Sequence, residues 1–211
     1  MPFDRSKKTI LYDEFGHRLP SKALQMDIPI LFETVPTKLE EEAGRRDIKA
    51  MKLVVPGARA PRLFSEAMVL HKDYTFDEII VHVGTNYLYP LESSAIIISE
   101  INTLLDSLRS LFSATVVFSP VLPRVLPAEM LQHNKSKPPT AFSRDMFHKI
   151  HHINTNINGP LLWCEEFMDT NPKYLLCSDG VHVGEHGIKA LESCLLDHIR
   201  TTHKPRPRYL L

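Results

Sequence analysis

The feature that most constrains this chain is an alternation. Short apolar runs ended by turn residues take turns with longer segments whose apolar residues recur every three or four positions. Lys7–Tyr12, Asp27–Val35, Ala50–Val55, Asp77–Val83 and Ala114–Ser119 read as strands, and Leu161–Cys164 as a last short one. Thr37–Arg46 reads as helix-like at its start, with Thr37 as N-cap and Glu40 three residues on. Pro61–Leu70, Pro90–Phe112, Thr140–Asn158 and Glu185–Arg200 read as helices, and Val125–Pro139 as an irregular loop. In Pro90–Phe112 the spacing puts Ile97, Ile101, Leu104, Leu108 and Leu111 on one face. Strand–helix alternation of this kind predicts an α/β fold with a parallel sheet covered on both faces.

Such sheets bind ligands beyond the carboxyl ends of their strands. The segments there are Asp13-Glu14, Gly57, Gly84-Thr85-Asn86 and the turn Asp179-Gly180-Val181-His182. In order and spacing these four blocks resemble those of the SGNH (GDSL) hydrolase superfamily. The resemblance runs from Thr9 to Leu191 and implies a flavodoxin-like three-layer α/β/α sandwich with a central parallel sheet. It implies that Asp179 and His182 stand where those enzymes keep the orienting acid and the base. Gly57 and Asn86 stand where they keep two elements of the oxyanion hole. No cofactor or metal is implied.

Two blocks depart from the pattern. YDEFG stands where the family has GDSxG, so Tyr12 replaces the Gly, Asp13 keeps the Asp, and Glu14 replaces the nucleophilic Ser. Tyr87 stands where the third block has Asp. A serine nucleophile works by giving its proton to a neighbouring His. A carboxylate has no such proton at neutral pH, and loss of the nucleophile costs a serine hydrolase on the order of 10⁶ in turnover. The site made by Asp13, Glu14, Gly57, Asn86, Asp179 and His182 is therefore expected to be vestigial, with Glu14 pairing with His182 or filling the old oxyanion position. Within the superfamily the chain is most similar to the degenerate, RNA-binding OSK-type domains of insect germ-plasm proteins. That likeness implies a pseudoenzyme that binds mRNA at single-stranded regions, with other germ-plasm proteins as partners, in ribonucleoprotein granules of the oocyte cytoplasm. The alternatives are a weakly active esterase or deacetylase using Asp179 and His182, and an esterase domain of retroelement type.

Charge matters here because the formal net charge is zero, so a nucleic-acid partner needs a local patch. Arg45, Arg46, Lys49, Lys52, Arg59, Arg62 and Lys72 face only Asp47 and Glu66 over the same stretch, whereas Asp73–Leu108 has no Lys or Arg. The tail adds Arg200, Lys204, Arg206 and Arg208. Clustered cations neutralise phosphates, and Arg stacks on unpaired bases. These residues, apart from Lys72, are the expected RNA contacts. Arg144, Lys149, His148, His151 and His152 form a further basic strip, read as surface rather than metal site. His82 reads as a buried, hydrogen-bonded core residue, Trp163 as core, and Cys164, Cys177 and Cys194 as core thiols. Three widely spaced cysteines fit a reducing compartment, no apolar run approaches the ~18 residues that span a bilayer, and no membrane partner is expected. At 211 residues the chain fits one domain over residues 1–200 with a basic tail over 201–211.

Overall fold

A computed structural model describes residues 8–13, 49–54, 58–88, 92–122, 139–168, 172–177 and 183–202, the first two stretches by their backbone. The expected strand at 27–35 and helix at 37–46 lie outside the described residues. Four strands, β1 (Lys8–Asp13), β2 (Lys49–Val54), β3 (Glu78–His82) and β4 (Thr115–Ser119), pair in the order β2-β1-β3-β4. Every neighbouring pair is parallel. A parallel bridge between Phe118 and Leu161 continues the order by one rung. The expected strand at 161–164 is therefore reduced to that rung, and the chain turns into a 3₁₀ segment at Glu165–Met168.

Among the described residues four helices pack on this sheet: α1 (Ala60–Leu70), α2 (Ser94–Phe112), α3 (Pro139–Thr155) and α4 (Glu185–Thr202). Strand alternation divides them between two cores. Ile79, Val81, Val116 and Phe118 face Leu63 and Ala67 of α1, five apolar residues of α2 from Ile97 to Leu108, and Met146, Ile150 and Ile153 of α3. Ile80 and Val117 face the other way, against Ala190, Leu195 and Ile199 of α4. All five residues of β3 are buried, so its EIIVH reads as a continuous run rather than an alternating one. This is the three-layer sandwich expected from the sequence.

Boundaries moved where capping overrides periodicity. Apolar spacing extends the second helix back to Pro90, but α2 starts at Ser94 because the Ser93 hydroxyl accepts the Ile96 N–H at 3.3 Å. It ends where Ser113 takes the left-handed conformation, at φ 53°. The reading of Trp163 as core is wrong. Leu162 and Cys164 point into the core, so the residue between them points out, and the indole is 66% exposed. His82 is buried, as expected, and shares a 2.9 Å hydrogen bond with Ser119 on the next strand. Of the three cysteines, Cys164 is fully buried, whereas Cys177 and Cys194 are half-buried rather than core.

Two polar contacts, one part-buried and one buried, fix the layers. His198 on α4 donates to Glu78, the first residue of β3, at 2.9 Å. That contact puts the end of α4 at the amino edge of the sheet, so α4 runs back from the carboxyl edge. At that carboxyl edge the Asn154 amide grips Val121, accepting its N–H at 2.8 Å and donating to its carbonyl at 3.1 Å. Asn154→Ala strands two buried backbone groups, and by the usual cost of an unmade buried hydrogen bond it loses about 2–4 kcal/mol. Urea denaturation should show a lower midpoint with an unchanged m-value.

Candidate functional site

The strand order reverses at β1, whose two neighbours β2 and β3 lead off in opposite directions, and in such sheets the ligand crevice lies there. Tyr12 pairs with Val81, so Asp13, the last residue of β1, ends level with the exit of β3. Glu14 follows it and lies outside the described residues, as do Gly57, Asp179 and His182. The expected contact of Glu14 with His182 or the oxyanion position falls there too.

The third block is described in full. Gly84 leaves β3 at φ +129°, and a Cβ there would sit 2.4 Å from Val121 Cγ2. Only glycine adopts that backbone without strain and leaves room for the loop after β4. A single 3₁₀ turn, Thr85–Tyr87, follows. Asn86 is half-buried, and its Nδ2 donates to the carbonyl of Ala58 at 3.3 Å. The third block is thus tied to the residue directly after Gly57, and two blocks expected to share one site are neighbours.

Tyr87 does something its sequence position did not suggest. Its side chain is completely buried. The phenol oxygen accepts the N–H of Ala60 at 2.8 Å and donates to Glu100 at 2.5 Å. Ala60 opens α1, and Arg59 in the cap position gives no side-chain cap. One of the helix's orphan N–H groups is therefore satisfied by a tyrosine 27 residues away. Burial, then the bond to Glu100, pushes the phenol above its ordinary value. It keeps its proton and stays a donor. The Arg59 guanidinium lies 4.9 Å from the centre of the same ring and pairs with Glu92 at 3.2 Å.

The Asp-x-x-His block is described through its flanks. Leu176 bridges Val183 across the segment, and Gly184 N–H donates to the Leu175 carbonyl at 2.8 Å. Helix α4 starts at once, and Gly187 in its first turn meets the same carbonyl, where a Cβ would come within 2.3 Å. That contact accounts for a glycine in an otherwise good helix. Both ends of 177–182 are therefore held together at the carboxyl edge, beside the start of α4.

The expected RNA contacts that fall among the described residues lie on three elements. Arg59 and Arg62 lie at the start of α1, which follows β2 at the carboxyl edge, and Arg62 is exposed. Arg200 lies in the last turn of α4 at the amino edge, exposed and paired with Asp197 at 3.2 Å. Lys49 and Lys52 lie in β2. Arg45, Arg46, Lys204, Arg206 and Arg208 lie outside the described residues. Of the basic strip on α3, His148, His151 and His152 are exposed, but Lys149 turns inward and donates to the Glu92 carbonyl. Burial lowers its pKa, against the opposing charge of Glu92. Sequence reasoning missed Glu92, Glu100, Ser119 and Asn154 as partners, and nothing in their local spacing marks them.

By sequence the chain matches no family model and no curated protein. Its structure is similar to a lipase/acylhydrolase from Enterococcus faecalis, at 16% identity and TM-score 0.60, covering 95% of this chain and 98% of that one. It is also similar to a GDSL-like lipase from Bacteroides thetaiotaomicron, at 13% identity and TM-score 0.59, covering 95% and 91% of the two chains. A catalytic mutant of an acetylxylan esterase from Geobacillus stearothermophilus aligns at 14% identity and TM-score 0.57, covering 92% and 94%. The chain has the SGNH-hydrolase fold.

Tyr87→Phe removes both phenol bonds and leaves a helix N–H unpaired, which costs about 1–3 kcal/mol at neutral pH. The unfolded chain releases the phenol proton near the ordinary tyrosine value of 10.0, whereas the folded chain holds it to higher pH. The stability this proton supplies is fully present below that pH and declines as pH rises past it. Wild type should therefore lose more stability than Tyr87→Phe between about pH 9 and about pH 11 in parallel urea titrations. Equal losses would show that the phenol ionises as freely in the folded chain.

Proposed function

We propose that this chain is a non-hydrolysing domain on an SGNH scaffold that binds RNA through basic side chains. The observation that carries the reading is Glu14 at the nucleophile position: the first block holds no hydroxyl that a His could activate. The third block supports it. Tyr87, in the place of the family's Asp, is committed to capping α1 and to Glu100. The basic stretch from Arg45 to Lys72, of which Arg62 is exposed on α1, supplies cations for phosphate. The biological setting rests on the resemblance to the OSK domain of the germ-plasm protein Oskar. That setting is germ-plasm assembly and localisation of maternal mRNA in oocyte granules, with other germ-plasm proteins as partners. Arg45, Arg46, Lys49, Lys52, Arg59, Arg62, Arg200, Lys204, Arg206 and Arg208 are the contacts this reading takes from the sequence.

A second reading, a weak esterase, is favoured by one feature. The Leu176–Val183 bridge brings the two flanks of the Asp-x-x-His block together beside the start of α4. Two assays separate the readings. With short-chain acyl esters, wild type should hydrolyse no faster than His182→Ala. A rate clearly above background that His182→Ala abolishes would establish the esterase instead. With single-stranded RNA, log affinity should fall linearly with log salt, by a slope of roughly 0.7 per phosphate contacted. Reversing Arg45 and Arg46 to Glu should weaken binding about tenfold at low salt and flatten that slope. Undetectable binding of the wild type at low salt would end the RNA reading.

A further inference from the structure

Two cations from separate elements meet at one residue. Arg59, in the cap position of α1, gives one N–H of its guanidinium to the Glu92 carboxylate at 3.2 Å. Lys149, on α3, donates its ammonium to the backbone carbonyl of the same Glu92. The place lies beside the exits of β2 and β3, because Asn86 holds Ala58 and Tyr87 holds Ala60 on either side of Arg59. Helices α1 and α2 both begin there, at Ala60 and Ser94, and neither carries an acidic residue in its first turn. Their positive ends therefore add to the two side chains. The cations are poorly matched by what they touch. An Arg carries five N–H donors in a fork that suits two oxygens, yet the bond to Glu92 uses one. Both partners of that pair are part-exposed, at 37% and 29%, so the pair holds weakly. Lys149 is half-buried, and its bonded partner is a neutral carbonyl rather than an anion. A desolvated ammonium is stabilised far more by an anion in contact than by a carbonyl.

We propose that Arg59 and Lys149 form a phosphate-binding site, and that in the free protein the Glu92 carboxylate stands in for the phosphate. The proposal rests on the RNA-binding reading and adds to it a contact, Lys149, and an internal competitor, Glu92. A backbone phosphate of single-stranded RNA presents two oxygens that share one negative charge. It takes the Arg59 fork with two N–H bonds where Glu92 takes one. It also gives Lys149 the anion that the carbonyl does not supply. An ammonium has three donors, so Lys149 keeps its bond to the Glu92 carbonyl and reaches the phosphate with another. The Glu92 side chain swings to solvent as the phosphate enters, which costs little because its own pair is part-exposed. Glu100 does not compete, since its carboxylate is held by the Tyr87 phenol. A diester phosphate carries the same charge as the carboxylate it displaces, so the two cations change partner without a change in local net charge.

The test follows binding of a fluorescein-labelled single-stranded oligouridylate by anisotropy at about 0.1 M salt, where exposed charges more than about 10 Å apart are largely screened. Glu92→Gln keeps the shape, removes the competing charge, and should tighten binding about threefold or more. Lys149→Gln should weaken it by a similar factor and lower the salt slope by roughly 0.7. In the double variant the gain from Glu92→Gln should largely vanish, because residues that share one ligand group are not additive. Asp106→Asn is the control. It removes the same charge and likewise releases an Arg, Arg109, but lies about 18 Å further along α2. It should leave affinity unchanged. The site is overturned if Asp106→Asn matches Glu92→Gln, or if the double variant keeps the full gain, and the RNA-binding reading then survives. If wild type binds no RNA, that reading falls and calorimetry with inorganic phosphate decides the site. Binding by Glu92→Gln that Lys149→Gln abolishes supports the site, and no binding by Glu92→Gln overturns it. Arg59→Gln, expected to weaken RNA binding as Lys149→Gln does, takes its place if urea denaturation shows that Lys149→Gln does not fold.

Discussion

Burial of β3 on both faces is the constraint on which the rest of the structure depends. A strand covered on both sides must find apolar partners in two directions. Ile79 and Val81 find them in α1, α2 and α3, and Ile80 finds them in α4. The strand cannot slip by one residue without exchanging its two cores. Its neighbours inherit that register: Tyr12 of β1 stands opposite Val81, and Phe118 of β4 opposite the same residue on the other side. Because β3 is fixed, the point at which the chain leaves it is fixed as well. Gly84, Asn86 and Tyr87 are thereby delivered to the crevice beside the end of β1.

At the crevice the third block of the SGNH fold ties neighbouring elements together. The short link from Asn86 to Ala58 joins the exits of β3 and β2. Tyr87 carries the connection further, to the first N–H of α1 and to Glu100 on α2. A carboxylate acceptor and a buried phenol make a bond that holds only while the phenol is protonated, so its strength follows from its dryness. Arg59 and Glu92 close over the ring from the wet side, where an ion pair contributes at most about 1 kcal/mol. The stabilising weight therefore lies with the phenol rather than with the charges around it. A residue that departs from the motif is the one that integrates three elements.

Much of the fold was legible in the sequence because it depends on local periodicity. The runs around Ile10, Met51, Ile80 and Val117 became strands, and the three-and-four spacing of Ile97, Ile101, Leu104 and Leu108 became the buried face of α2. His82 was recognised as a core histidine from its apolar neighbours alone. Trp163 misled because bulk and apolarity suggest burial, while a one-rung strand sets the direction of each side chain. The start of α2 misled for a related reason: the apolar pattern extends past the residue whose hydroxyl caps the helix. Arg59, Lys149 and Arg200 were grouped by charge, yet Arg59 and Lys149 meet at Glu92 and Arg200 ends at the opposite edge. Charge along a sequence does not record which carboxylates and carbonyls the fold will bring near.

By itself the sequence determined the layer order, the parallel sheet and the positions along the chain of the four post-strand blocks. Alternation and turn residues act over a few neighbours and need no knowledge of the rest of the chain. It also showed that Glu14 follows the first strand, at the position where the resemblance leads one to expect a serine hydroxyl. Only the tertiary structure decided what Tyr87 is for and how Asn154 secures Val121. Each of these joins residues 27 to 33 positions apart. Such contacts form because packing both faces of one strand leaves their elements nowhere else to lie.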